Sequence, residues 1–228
     1  MPSPGTTASL IVRATDSPSV DNSSKPTSRD RCSRSSLRAA QSRVSVTLED
    51  YAGGVTEAAI GIDVGGTNIK GAAVDLRTGE RITTRVRVPT PGGGTPDDIA
   101  HEVAAMVQGI RAEFDERVTA SAPATLSCAS PHAASYDALL DTVGVALPSA
   151  VRNGVALTAA NIDARWINTD AAALLADASG SPCVVVNDAD AAGIAEAALG
   201  AAKGVAGTVL VLTFGTGIGS ACLSDGML

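Results

Sequence analysis

The spacing of apolar and polar positions changes along the chain, and each change marks an element. Ala59–Val64 is a short apolar run that ends at Gly65-Gly66-Thr67, and a second run, Ala72–Leu76, follows at once. Two strands joined by a tight turn are predicted. Arg77–Glu80 is a turn in which Gly79 supplies a positive φ. Beyond it Ile82, Thr84, Val86 and Val88 alternate with Thr83, Arg85 and Arg87, which predicts a half-exposed third strand and three antiparallel strands in a row. The period then lengthens. Thr95 as N-cap, Pro96 in the first turn and Asp98 three residues on open a helix, whose stripe is Ile99, Val103, Val107, Ile110 and Phe114. Thr142–Leu147 reads as a buried strand ending at Pro148, Asp170–Asp177 as a short helix, and Cys183–Val186 as another buried strand. Asp188–Leu199 reads as a helix, Thr208–Leu212 as a strand, and Gly219–Leu223 as its hairpin partner. A meander followed by alternating helices and strands gives a mixed α/β sheet.

Two stretches show no such period. Residues 1–56 are rich in Ser, Thr, Arg and Pro and read as a disordered N-terminal extension. Sequence upstream of the true start, or an organellar transit peptide, has the same make-up. Residues 118–138 are Ala/Ser/Pro-rich and read as a surface insertion. With aromatics at 2%, any core must be built from Ala, Val, Leu and Ile.

Charge is unevenly placed. Residues 1–48 carry seven Lys/Arg against three Asp/Glu, while residues 49–228 carry ten against twenty-one. An acidic body with few aromatics argues against general nucleic-acid binding, which needs basic grooves and stacking platforms. Anionic ligands would have to be held locally, by backbone dipoles and metal. Cys32, Cys128, Cys183 and Cys222 are far apart, and His101 and His132 stand alone, so no zinc is expected. Scattered thiols fit a reducing, cytoplasmic setting, and no uncharged apolar run approaches the ~18 residues that span a bilayer.

Three kinds of segment carry candidate chemistry. In the first, Asp63 stands at a strand end before Gly65, Gly66 and Thr67. Glycines let backbone N–H groups approach an anion, and the carboxylate can hold a hydrated Mg²⁺ over the same phosphates. Thr213, Gly215, Thr216 and Gly217 repeat that arrangement after a later apolar strand. Either turn alone is equally an ordinary tight hairpin; the pair is more specific. In the second, Asn187 and Asp188 lie where a buried strand becomes a helix. Asp188 could take the proton of an attacking hydroxyl, or Asp188 or Asp190 could simply cap the helix. In the third, Asn161 and Asp163 precede Trp166, the chain's one tryptophan. They could bond sugar hydroxyls over the indole, or serve as turn residues above a core anchor.

Four motifs then occur in order: Gly61–Gly71 (GIDVGGTNIKG), Ala159–Ile167, Val186–Gly193 (VNDADAAG) and Leu212–Ala221 (LTFGTGIGSA). Together with the Thr90-Pro91…Thr95-Pro96 linker they resemble the polyphosphate glucokinases of the ROK (repressor, open reading frame, kinase) family of sugar kinases. The likeness runs from about Ala58 to the last residue, interrupted at 118–138. It implies an α/β fold, a ribonuclease-H-like lobe of the actin/hexokinase type with a mixed sheet, over residues 57–205. Residues 206–228 would begin a second lobe that is largely missing, because family members continue into a Glu-x-Gly-His segment that has no match here.

By position, the resemblance makes Asp188 the base acting on the 6-hydroxyl of glucose, with Asn187, Asn161 and Asp163 on the sugar. Asp63 would position Mg²⁺ through an intervening water. Gly65, Gly66, Thr67 and Lys70 would line the first phosphate loop, and Thr213, Gly215, Thr216 and Gly217 the second; Lys70 could equally just cover its strand. Polyphosphate, ATP or both would be the donor, with no nucleic-acid or membrane partner, and a family-like homodimer is compatible with it. Relatives have Pro-Gly where this chain has Pro148-Ser149, which questions any backbone there that needs glycine. The 228-residue chain is expected to be weak or inactive; a non-catalytic phosphate-binding fragment is the alternative.

Overall fold

In the computed structural model the described residues are 8–13, 57–121, 140–215 and 217–228. The strands are β1 (Ala8–Arg13), β2 (Ala58–Val64), β3 (Asn68–Asp75), β4 (Val86–Pro89), β5 (Val143–Leu147), β6 (Val151–Arg152), β7 (Val155–Ala156), β8 (Cys183–Asn187), β9 (Thr208–Phe214) and β10 (Ile218–Ser224). The helices are α1 (Pro96–Ser121), α2 (Ala171–Ser179) and α3 (Asp188–Ala198), with a 3₁₀ turn at Ala164–Trp166.

Five strands form a mixed sheet in the order β4-β3-β2-β5-β8. β4, β3 and β2 are antiparallel neighbours, whereas β2, β5 and β8 run parallel. Alternation in β2 decides which face is which. Ala58, Ile60, Ile62 and Val64 are buried against the helices, and Gly61 and Asp63 fall on the other face. Against the buried face pack Ile99, Val103, Val107, Ile110 and Phe114 of α1 and Leu175 of α2, all fully buried. The core is mostly Ala, Val, Leu and Ile, with Trp166 and Phe114 as its largest buried side chains. α1 begins as its sequence predicts: the Thr95 hydroxyl accepts from the Asp98 N–H at 3.2 Å and donates to the Asp98 carboxylate at 2.7 Å. Among the described residues no helix is long and apolar enough to cross a membrane.

The third strand departs from prediction. Regular pairing covers only Val86–Pro89, and Arg81 meets Val74 in an isolated bridge. Thr83 breaks the alternation by turning inward, 4% exposed, so that its Oγ1 accepts the Ala73 N–H at 2.9 Å. Thr84 then points its N–H at Glu113 of α1 at 2.8 Å, which holds that carboxyl below its usual range, and Arg117 pairs with the same carboxylate at 2.7 Å. A polar side chain has replaced one rung of the ladder.

Two more expectations need adjusting. β8 is not buried on both faces: Val185 faces the core, but Val184 is 56% exposed because β8 is an edge strand whose outer face meets a cavity. Within residues 1–56, expected to lack regular structure, Ala8–Arg13 forms a strand that pairs antiparallel with β9, completing a three-stranded sheet β1-β9-β10. Leu10-Ile11-Val12 is β-prone and meets an otherwise open strand edge. α1 also continues to Ser121, past the start of the expected insertion; residues 122–139 lie outside the described residues.

Thr83→Val keeps the side-chain volume but leaves the Ala73 N–H buried without a partner, a loss of about 1–3 kcal/mol. The urea midpoint, followed by circular dichroism, should fall accordingly; an unchanged midpoint would mean the hydroxyl contributes nothing.

Candidate functional site

Parallel pairing sets the site. β2, β5 and β8 carry Asp63 opposite Ala146 and Leu147 opposite Asn187, so three strands end side by side. The carboxyl end of parallel strands is where open α/β sheets leave a crevice. The Asp63 carboxylate, the Pro148–Ser149 turn and Asp188 all lie along this edge.

At the end of β2, Asp63 accepts from Lys70 Nζ at 3.0 Å, and both groups remain partly exposed. The bend that follows is held from two sides. Gly65 N–H donates to Asn68 O at 3.0 Å within the turn. Thr90, after β4, donates its hydroxyl to Gly65 O at 2.5 Å and its N–H to Thr67 O at 3.0 Å. Gly66 is needed for close approach: a Cβ there would lie 2.7 Å from Asn161 Cβ and 2.8 Å from Asn161 O. The first glycine bend is thus pressed against the loop that carries Asn161.

That loop has its own scaffold. Trp166 is fully buried and donates Nε1–H to Gly94 O at 3.0 Å, which makes it the anchor beneath the loop. Asn161 is exposed with φ 62°, a left-handed conformation that asparagine tolerates better than most residues. Asp163 caps the 3₁₀ turn and is engaged by Arg165 through both carboxylate oxygens, at 3.0 Å each, contacts that lower its pKa. Its turn role is therefore realised in full. Asn161 is left as the freer polar group of the pair.

The cap of α3 falls to a residue neither alternative named. Asn187, not Asp188 or Asp190, is the N-cap: its Oδ1 accepts from Ala189 N at 2.9 Å and Asp190 N at 3.2 Å. Its Nδ2 donates to Ser149 O at 3.0 Å, tying the end of β8 to the turn after β5. Most of the Asn187 amide is spent on scaffold. Asp188 is thereby released from capping: it is exposed in the first turn, and its Oδ1 accepts only the N–H of Ala189 at 2.8 Å. Ser149 causes no strain, since it is not among the residues with positive φ, and its own Oγ accepts from Thr158 N at 3.3 Å.

The second glycine bend closes through Gly215 N–H to Gly217 O at 2.9 Å. Nothing lies within 4 Å of the Cβ direction at Gly215 or Gly217, so this bend faces open space. Thr216 lies outside the described residues. Gly219 is packed so closely that a Cβ would sit 2.6 Å from Thr213 Oγ1 and 2.8 Å from Ala189 Cβ. The neighbour of Asp188 is therefore seated on the second bend. A cavity of about 1480 Å³ on the outer face of the five-stranded sheet is lined by Asp63 and Lys70 on one side and Phe214 and Gly215 on the other. Asp188 opens at the adjoining strand end, outside that lining.

Thr90 and Ser149 are supports of the site that sequence reasoning misses. The Thr-Pro pairs around the linker are the available signal for Thr90, whereas nothing local marks Ser149 as a hydrogen-bond acceptor for a residue 38 positions on.

The family model described as ROK family matches residues 124–228. Polyphosphate glucokinase from Mycobacterium tuberculosis is 41% identical over 169 residues, which cover 74% of this chain and 54% of that protein. The chain is thus similar to ROK-family proteins over most of its described length. It spans about half the length of the curated relatives it matches. Among solved structures, the inorganic polyphosphate/ATP-glucomannokinase of Arthrobacter sp. strain KM superposes with a TM-score of 0.62 at 47% identity, covering 75% of this chain and 60% of that one. A ROK family glucokinase from Streptomyces griseus, in complex with glucose and AMPPNP, gives 0.51 at 26% identity, covering 75% and 46%. The fold of this chain is accordingly the α/β, actin/hexokinase-like one.

One carboxyl beside the candidate site has an unusual titration. Asp190, in the first turn of α3, is held above the usual carboxylate value, first by burial and then by the charge of Asp188. A carboxyl that binds its proton more tightly when folded costs stability as pH rises from 3.8 through the raised value. Asp190→Asn should therefore raise the melting temperature at neutral pH, with the gain vanishing below pH 3.8. A variant that melts lower than the parent at pH 7 contradicts this.

Proposed function

We propose that this chain contains the phosphoryl-transfer half of a sugar kinase that moves a terminal phosphoryl group from inorganic polyphosphate, ATP or both to the 6-hydroxyl of glucose. The observation that carries the reading is the release of Asp188 from helix capping. An exposed carboxylate at a strand end, next to an alanine that packs on Gly219 just after the second glycine bend, has an oxygen available for a substrate proton.

On this reading the glucose O6 attacks the terminal phosphorus while the bond from that phosphorus to its bridging oxygen breaks. The hydroxyl proton passes to Asp188, and the shortened polyphosphate or ADP leaves with the bridging oxygen. Asn161 holds a sugar hydroxyl; the remaining N–H of Asn187 is placed to help, and Asp163 positions the loop through Arg165. The amides and hydroxyls of the Gly65–Thr67 and Thr213–Gly217 bends cradle the phosphates, where their dipoles meet the developing charge. Lys70 adds a cation at the first bend.

Magnesium fits Asp63 in one respect. No cluster of three or more His, Cys, Asp or Glu among the described residues could form a protein cage, but Mg²⁺ is commonly held by one carboxylate together with water and substrate phosphates. Bound there, it would neutralise phosphate charge; Lys70, now paired with Asp63, would have to share or yield that carboxylate.

A second reading, phosphate-chain binding without transfer, is favoured by the position of Asp188 outside the lining of the cavity that holds Asp63, Lys70 and Gly215. A coupled glucose-6-phosphate assay with either donor tests both. Transfer by the parent chain should fall about 10²–10⁴-fold in Asp188→Asn, with donor affinity in calorimetry unchanged. Undiminished transfer in that variant would remove Asp188 as base; donor binding with neither transfer nor glucose binding in the parent chain would favour the second reading.

A further inference from the structure

Three guanidinium groups on the outer wall of the cavity have no task so far. β4 pairs with β3 so that Arg87 lies opposite Lys70, and Lys70 lies opposite Asp63 of β2. Residues directly opposite one another share a face. Asp63, Lys70 and Arg87 therefore form one row across the open side of the sheet. Arg85, two residues earlier and just outside β4, lines the same cavity. Arg81, Arg85 and Arg87 all line the cavity that also holds Asp63 and Gly215.

The charge along this wall is unbalanced. Asp63 neutralises Lys70, but among the described residues none of the three arginines forms an ion pair. Arg81 and Arg85 also border a second hollow of about 530 Å³, whose lining includes Glu80 and Arg117, the latter already paired with Glu113. The positive wall thus continues from the cavity around the sheet edge. Like charges gathered on one surface repel one another, and in a chain of net charge −7 they stand out.

Their arrangement narrows the ligand. Guanidinium forks match phosphate oxygens. Cations spread along one wall suit a linear anion with repeated charges, and exceed what the three phosphates of a nucleotide need. Single-stranded nucleic acid fits less well, because its bases stack on aromatic side chains, and Phe214, on the opposite wall, is the one aromatic residue among those that line the cavity.

We propose that Arg85 and Arg87, with Arg81 at the far end, hold those phosphates of an inorganic polyphosphate that lie beyond the transferred group. The wall is then a track that favours long donors over short ones. It rests on the proposed reading in which Asp63, Lys70 and Gly215, all of which line the cavity, meet the donor phosphates.

The test is calorimetric binding of long-chain polyphosphate, tripolyphosphate and ATP to the 228-residue chain at several salt concentrations, for the parent and for Arg85→Gln/Arg87→Gln. Circular dichroism and the melting temperature check that the variant is folded. Long-chain affinity should weaken several-fold, and the slope of log affinity against log salt should fall by about 0.7 for each phosphate no longer neutralised. Tripolyphosphate and ATP affinities should stay within about two-fold, because neither ligand reaches the track. Equal weakening of all three ligands, no weakening, or no long-chain binding by the parent overturns the track. The same fall in affinity for single-stranded DNA overturns the assignment to polyphosphate, leaving a general polyanion surface. Glucose phosphorylation from ATP, a donor too short to need the track, reports on the kinase reading separately: its persistence alongside a failed chain-length effect removes the track and keeps the kinase.

Discussion

The register of three parallel strands is the constraint on which the site depends. β2, β5 and β8 are paired so that Asp63 sits opposite Ala146 and Asn187 opposite Leu147. A one-residue slip of either outer strand would turn its side chains to the wrong face. Asp63 would enter the helix-packed core in place of Ile62 or Val64. Burial fixes the register: Ile60, Ile62, Val64, Val143, Val145 and Leu147 all project into the same apolar layer, and all are nearly or fully buried. The polar chemistry at the strand ends is a consequence of apolar packing behind them.

Polar contacts then lock the ends together. Asn187 joins two strand ends through Ser149 while capping α3, Thr90 braces the first bend from the end of the neighbouring edge strand β4, and Trp166 pins the Asn161 loop to Gly94. Each uses a side chain on a backbone group that would otherwise lose its partner on burial. The exposed Asp188 and Asn161 are what remains once the scaffold has taken its share. In the proposed reading these two groups meet the substrate because their neighbours do the structural work.

Much of the architecture was legible in the sequence because it depends on local periodicity. The α1 stripe, the Thr95 capping arrangement, the antiparallel strands around the first glycine bend and the β9–β10 hairpin all lie within short windows. Features set by distant partners were not. Thr83 reads as an outward-facing strand residue until Ala73 is known to need an acceptor; β8 reads as buried because its position at the sheet edge is a matter of topology. The choice between base and cap for Asp188 was open in the sequence, since Asp and Asn are both good caps. Asn187 takes the role because its amide can also donate to Ser149, which a carboxylate cannot do. Asp163 shows the opposite outcome, with Arg165 claiming the carboxylate two residues away.

The proposed reading requires both glycine bends to reach one phosphate chain, although of their glycines only Gly215 lines the cavity. Its most direct measurement is the amide resonances of ¹⁵N-glycine-labelled chain during titration with tripolyphosphate. Gly65 and Gly66 should shift together with Gly215 and Gly217, along curves that give a single dissociation constant. Shifts confined to one bend, or two bends titrating with different constants, would contradict it.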